Sequence, residues 1–199
     1  MPEVIRSFVA IDIDNEKILR QLRDVQGKLI ETGARIKSVK PENIHITIRF
    51  LGDIHPEMID KIYSSMEKVS FTPFNVRIHG IGAFPTSKYV RIVWAGVQEG
   101  RKKIEAIFDQ LEPQLRILGF KPDSRGFSPH ITISRVRAGQ KKAELIRCIK
   151  ALANHEFGIL KVCCLKLKKS VLTPRGPIYS KLKEVCRSKQ GSSHGLKNR

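Results

Sequence analysis

The four residues His-Ile-Thr-Ile occur twice in this chain, as His45-Ile46-Thr47-Ile48 and as His130-Ile131-Thr132-Ile133. Runs of β-branched residues favour strands, and in a strand residues two apart share a face. His45 and Thr47 then lie on one side, with Ile44, Ile46 and Ile48 on the other; His130 and Thr132 repeat the arrangement. A polar edge backed by an isoleucine ridge fits a groove lying over a packed core. One strand histidine is commonly no more than a satisfied hydrogen-bonder. Two with the same neighbours and the same parity point to a shared task.

The surroundings of the two strands are duplicated as well. Arg6 to Asp12 reads as a buried strand. Asp14 or Asn15 can cap a following helix whose apolar positions are Ile18, Leu22, Val25 and Leu29, with Gly33 just past its end. After the histidine strand, Ile44 to Leu51, Pro56 opens a second helix with Ile59, Ile62, Met66 and Val69 inward. Phe74 to His79 alternates as a strand, and Gly80, Gly82 and Pro85 break the pattern.

The second half replays this order. A strand over Tyr89 to Val97 precedes a helix carrying Ile104, Ile107, Leu111 and Leu115, which Pro113 is expected to kink or divide. Then come the second histidine strand, a helix over Lys141 to Leu152 and a strand from Phe157. Leu165 to Leu172, the turn Thr173 to Pro177, and Ile178-Tyr179 read as a hairpin. Duplicated halves imply an approximate twofold axis with the histidines facing each other across a central cleft. Strands separated by helices leave both a parallel α/β sheet and an antiparallel α+β arrangement open.

The groove needs a ligand, and charge narrows its class. Lys and Arg number 37 against 19 Asp and Glu, a formal +18, and 23 of the basic residues fall in positions 100–199. Such an excess implies a polyanionic partner met mostly by the second half. Cys148, Cys163, Cys164 and Cys186 show no C-x-x-C spacing, so no disulfide framework is expected and a reducing cytoplasm is the expected location. No segment approaches the ~18 apolar residues of a membrane span. Residues 1–186 are expected to form one domain, and 187–199 a disordered basic tail, His194 included. His55 and His79 have no repeated partner and read as structural.

Two histidines that titrate near neutrality can serve as paired general acid and base, which suits in-line attack on phosphorus. Thr47 and Thr132 are placed to hold the non-bridging oxygens. Arg49 and Arg135 are the nearby cations for the developing charge. Arg49 lies four residues after His45 and has the matching parity. Phe50 and Arg135 lie five residues after their histidines, an odd offset that puts them on the opposite face unless a bulge turns them inward. No Asp/Glu/His cluster with metal-ligand spacing accompanies either motif, so no metal or other cofactor is expected.

His45-Ile-Thr47-Ile and His130-Ile-Thr132-Ile resemble the paired H-x-T-x signatures of the 2H phosphoesterase superfamily. Arg6 to Asp12, Asn43 to Gly52, Tyr89 to Val97, Phe127 to Val136 and Ser170 to Tyr179 resemble, in order, the blocks of its RNA 2′,3′-cyclic phosphodiesterase branch, which is also 2′-5′ RNA ligase-like. The resemblance implies a bilobal α+β fold, two antiparallel sheets facing a central cleft with helices outside. It implies metal-independent hydrolysis of 2′,3′-cyclic phosphate ends to 2′-phosphomonoesters. By the same carry-over His45 is the proton donor to the leaving 3′ oxygen, His130 the proton acceptor from water, Phe50 a base-stacking aromatic and Arg135 a phosphate contact. The expected partner is RNA with a 2′,3′-cyclic phosphate terminus, tRNA fragments among the candidates, acted on by a monomer. The rivals are the reverse reaction, a 2′-5′ RNA ligase using the same acid and base, and an RNA-end-binding module without turnover.

Overall fold

A computed structural model describes residues 3–86, 89–123, 126–137 and 141–188. The chain runs β1 (Ile5–Asp12), α1 (Glu16–Glu31), β2 (Ile36–Ser38), a 3-10 turn (Pro41–Asn43), β3 (His45–Ile54), α2 (Met58–Glu67), β4 (Phe74–Pro85), β5 (Val90–Val97), α3 (Arg101–Ile117), β6 (His130–Val136), α4 (Lys142–Ala151), β7 (Glu156–Val162), β8 (Cys164–Thr173) and β9 (Gly176–Cys186).

The helices follow their apolar stripes. Asn15 caps α1, its Oδ1 accepting from the backbone N–H of Lys17 at 3.0 Å and of Ile18 at 3.1 Å. Ile18, Leu22, Val25 and Leu29 are all buried. In α3 the stripe is Ile104, Ile107, Leu111 and Leu115, and the helix passes through Pro113 undivided. Pro113 sits on the wet side, where water can satisfy the carbonyl whose intrahelical bond proline removes.

The strand pairings are antiparallel throughout, which decides the fold class as α+β. The strand order is β7-β4-β5-β6-β3-β1-β8-β9, with β2 added beside β6. The two expected sheets are thus two lobes of one curled, nine-stranded sheet, joined at the centre where Ile46 of β3 faces Ile131 of β6. One lobe is β3, β1, β8 and β9, and the other is β6, β5, β4 and β7.

The lobes do not coincide with the halves of the sequence. β4, from the first half, pairs with β5 and β7, while β8 and β9, from the second, close the lobe that contains β1 and β3. The helices cross over too: α1 packs on β7 and α4, and α3 packs on β3 and α2. One apolar cluster runs through both lobes, from Val9, Ile46 and Leu167 to Val93, Ile131 and Val76.

Several readings need correction. β4 does not stop at Gly80 but bends there and continues to Pro85. Gly80 has φ +79° and a Cβ on it would meet the Ala153 carbonyl oxygen at 2.6 Å, so the bend tolerates no side chain. Cys164 and Cys186 form a disulfide, because the β8–β9 register sets them opposite each other. The spacing of cysteines along the chain carries no trace of that register. Arg187, expected in the tail, belongs to the folded body: its N–H donates to Cys163 O at 2.8 Å and its guanidinium to Glu67 O at 2.7 Å and Val69 O at 2.9 Å. Residues 189–199, with His194, lie outside the described residues. Among the described residues no helix is long and apolar enough to cross a membrane.

Candidate active site

The isoleucines of β3 and β6 point into the core and the intervening residues point to the opposite face. Ile46, Ile48, Ile131 and Ile133 are buried, whereas His45, Thr47, His130 and Thr132 are half-buried. Both imidazoles are anchored alike. His45 Nδ1 lies 2.7 Å from Asn43 O, and His130 Nδ1 lies 2.8 Å from Ser128 O. A carbonyl oxygen only accepts, so Nδ1 carries the proton and Nε2 is the working nitrogen of each ring. His45 Nε2 reaches Thr47 Oγ1 at 2.9 Å.

A β-bulge in each strand reverses the parity beyond the motif. In the β1–β3 ladder Ala10 faces Thr47 but Val9 faces Arg49, so Ile48 is an extra residue. In the β5–β6 ladder Trp94 faces Thr132 but Val93 faces Ser134, so Ile133 is the extra residue. The Ile133 carbonyl accepts from Gln26 Nε2 at 2.8 Å and from Val39 N–H at 2.8 Å. Consecutive burial of Ile48 and Arg49, and of Ile133 and Ser134, marks the same shift.

The bulges exchange the expected roles of the flanking residues. Phe50 comes onto the histidine face, 48% exposed, with its ring 5.9 Å from Phe8. Arg135 comes onto that face as well, and its charge bears on both His130 and Tyr179, which belong to opposite lobes. Arg49, whose parity matched, is turned away. It is buried, its Nε donates to Glu112 Oε2 of α3 at 2.7 Å, and its other nitrogens donate to Phe50 O at 2.6 Å and to Lys121 O. The structure therefore makes Arg49 a tie between β3 and α3, and the expectation that it binds a phosphate is withdrawn.

Around His45 the face is aromatic and charged. Phe8 lies 4.9 Å from the His45 ring, Tyr179 lies edge-on to it at 5.4 Å, and Phe8 and Tyr179 pack together at 4.9 Å. Asp12 stands directly opposite His45 in the β1–β3 register, bound to Lys168 at 2.6 Å and Lys166 at 3.1 Å. Around His130 the face holds Phe84, edge-on at 5.0 Å, and Trp94 at 6.5 Å. The Trp94 ring lies over Gly82, where a Cβ would come within 2.1 Å of it. In the sequence Tyr179 appears only as part of the C-terminal hairpin; Phe8 and Phe84 look like core, and Asp12 and the lysines like solvated strand ends.

Burial governs both imidazoles. It lowers the His45 pKa to about 4, against the pull of the Asn43 hydrogen bond, with the Lys168 cation adding to the fall and Asp12 opposing it. Burial also lowers that of His130, the Ser128 hydrogen bond opposing and Arg135 adding. At neutral pH both rings are therefore neutral. Two concavities, of about 520 Å³ beside Phe157 and about 580 Å³ beside Phe120, contain neither histidine. Chemistry rather than cavity volume locates the site.

The family model described as LigT-like phosphoesterase matches residues 11–94 and 96–179, one segment for each histidine strand. The chain belongs to this family. Among its relatives, the RNA 2′,3′-cyclic phosphodiesterase of Aeropyrum pernix is 34% identical over 87% of this chain and 97% of its own length. That of Methanocaldococcus jannaschii is 37% identical over 90% of this chain and 99% of its own. The LigT-like fold is shared with the crystal structure of Escherichia coli LigT complexed with 3′-AMP, at a TM-score of 0.75 and 22% identity over 94% of this chain and all of that one. A crystal structure from Thermus thermophilus superposes at a TM-score of 0.77 with 23% identity over 93% of this chain and all of that one.

Proposed function

We propose that this chain is a metal-independent RNA 2′,3′-cyclic phosphodiesterase that opens the cyclic end to a 2′-phosphomonoester by paired-histidine acid–base catalysis. The observation that carries the reading is the matched pair of imidazoles, one per lobe, each fixed through Nδ1 to its own backbone so that Nε2 is the nitrogen left for chemistry. The names of the relatives from Aeropyrum pernix and Methanocaldococcus jannaschii support the cyclic phosphodiester as substrate. The proposed partner is RNA bearing that end, tRNA fragments included.

In the proposed reaction His130 Nε2 takes a proton from water as its oxygen attacks phosphorus. The bond from phosphorus to the 3′ oxygen breaks, and His45 Nε2–H passes its proton to that oxygen. Thr47 and Thr132 donate to the non-bridging oxygens, and the Arg135 guanidinium offsets the charge that builds on them. Burial favours the neutral His45 ring, and a phosphate anion beside it favours the imidazolium. Substrate thereby helps to charge its own acid. Metal independence is supported by the ligand-type atoms among the described residues: Asp12 is taken up by two lysines, and the Cys164–Glu184–Cys186 group has its two sulfurs joined in a disulfide.

A short RNA ending in a 2′,3′-cyclic phosphate, incubated with the protein in EDTA, tests the proposal. The expected product is a terminal 2′-phosphate. A 3′-phosphate product would reverse the leaving group. Full activity after changing both histidines to Ala would end the mechanism.

A further inference from the structure

We infer that the ion pair of half-buried Asp12 with buried Lys168 is a positioning device that sets the charge state of His45 and makes the two cleft histidines chemically unequal. The inference rests on the proposed reaction only for its effect on rate.

The geometry is one of register. Asp12 and His45 are cross-strand partners, so their side chains share the cleft face with Cβ atoms about 4.5–5.5 Å apart. Yet Asp12 does not bind the ring. The His45 nitrogens go to Asn43 O and Thr47 Oγ1, and the Asp12 oxygens go to Lys168 at 2.6 Å and Lys166 at 3.1 Å. Lys168 is only 6% exposed and faces Phe8 across the β1–β8 ladder, while the Phe8 ring covers His45. A half-buried anion and a buried cation therefore act on the imidazole through space, in opposite directions.

Among the described residues no such pair stands opposite the histidine of the other lobe. The residue opposite His130 is Gly96, where a Cβ would meet His79 O at 2.5 Å. The counterpart of Lys168 is Phe84, since Phe84 pairs with Ile92 and Ile92 with Arg135, as Lys168 pairs with Phe8 and Phe8 with Phe50. The anion and cation beside one histidine have no counterparts at the matching positions beside the other, where Arg135 is the charge that bears on the ring.

The charged and titratable groups that bear on His45 are Lys168 on β8, Asp12 on β1 and His130 on β6, with Tyr179 of β9 edge-on to the ring; behind them Lys166 and Glu184 stand against Asp12, and Arg6 and Arg135 bear on Tyr179. Lys166 also binds Glu184 at 3.5 Å, and Glu184 binds Lys181 at 2.9 Å, so removing Lys168 leaves Asp12 with a partner. Burial pushes the Asp12 carboxyl up, but the hydrogen bonds and charge of Lys168 and Lys166 outweigh it and hold the group below the ordinary value. Asp12 is therefore ionised at neutral pH, as an anion facing the ring.

The test is an imidazole titration by ¹H–¹⁵N NMR on the full chain. Asp12→Asn leaves the Lys168 cation unopposed, and His45 should titrate about one pH unit lower or further. Lys168→Met leaves the carboxylate dominant, and His45 should titrate about one unit higher or further. Lys168→Arg and the double variant Asp12→Asn/Lys168→Met should both titrate close to the parent. His130 should not move. A purely structural pair would let water into the lobe in either single variant, moving His45 upward in both. Shifts in the same direction, or no shift in either, overturn the inference. If Lys168→Met does not fold, Asp12→Asn decides alone: a downward shift supports the inference, and an upward or absent shift overturns it. The titration needs no turnover, so it stands or falls separately from the proposed reaction, in which the pH profile of kcat/KM should move with the His45 titration.

Discussion

The two lobes carry the same strand, the same bulge and the same Nδ1 anchor, yet they surround their histidines with different chemistry. His45 lies among Phe8, Tyr179, Asp12 and Lys168; His130 lies among Phe84, Trp94, Gly96 and Arg135. Beyond the bulge, the first lobe offers an exposed aromatic and the second a guanidinium. Acid–base catalysis needs two groups that hold protons differently at the same pH. A symmetric scaffold with unsymmetric neighbours is a direct way to obtain them.

The largest effect tests what the lobes share. His45→Ala and His130→Ala should each lower kcat about 10²–10⁴-fold on a cyclic-phosphate RNA, measured by product release. Because the two act as a unit, the double variant should lose little more than either alone. A loss confined to one histidine would break the equivalence of the lobes.

The next tests a position at which they differ, one residue past each bulge. Arg49→Ala leaves the half-buried Glu112 carboxylate without its cation and should cost up to about 3–5 kcal/mol of stability in denaturant titration. Its counterpart, Ser134, has a fully buried hydroxyl without a partner. Ser134→Ala should be neutral or stabilising by up to about 1 kcal/mol.

Arg135→Ala and Phe50→Ala sharpen the comparison at the cleft itself. Loss of a charged hydrogen bond worth about 1.5–3 kcal/mol should cut kcat/KM about tenfold to a hundredfold for Arg135→Ala on every substrate. Phe50→Ala should weaken binding by about 1–3 kcal/mol for a terminal nucleotide with its base. On an abasic cyclic phosphate the Phe50 effect should vanish.

The gentlest perturbation is acid. His45 has a folded pKa of about 4 against 6.5 in the unfolded chain, so as pH falls the unfolded chain takes the proton first. Its contribution is fully present above pH 6.5 and is lost as pH falls toward 4. One proton gives a slope no steeper than about 1.4 kcal/mol per pH unit. His45→Gln should flatten that slope, as read from unfolding midpoints across the interval.

Much of the site was legible because it repeats. The paired motifs named four of the cleft residues, and the α1 stripe and its Asn15 cap follow from helical period alone. Arg49 misled for a physical reason. Parity counts residues along one strand, and Ile48 is extra only relative to β1. Odd offsets became cleft positions and the even offset became a core tie.

What the sequence determined by itself was a duplicated pair of polar-edged strands, the inward faces of the helices, and the chemistry that two such strands can carry. These are properties of short segments, set by side-chain volume, hydropathy and backbone preference. Only the tertiary structure decided which partner each strand took. That choice set the bulges, the crossing of β4 and β8 between lobes, the Cys164–Cys186 disulfide, and the placing of Lys168 against Asp12 across 156 positions of chain. Register belongs to two strands at once, so no reading of either alone contains it.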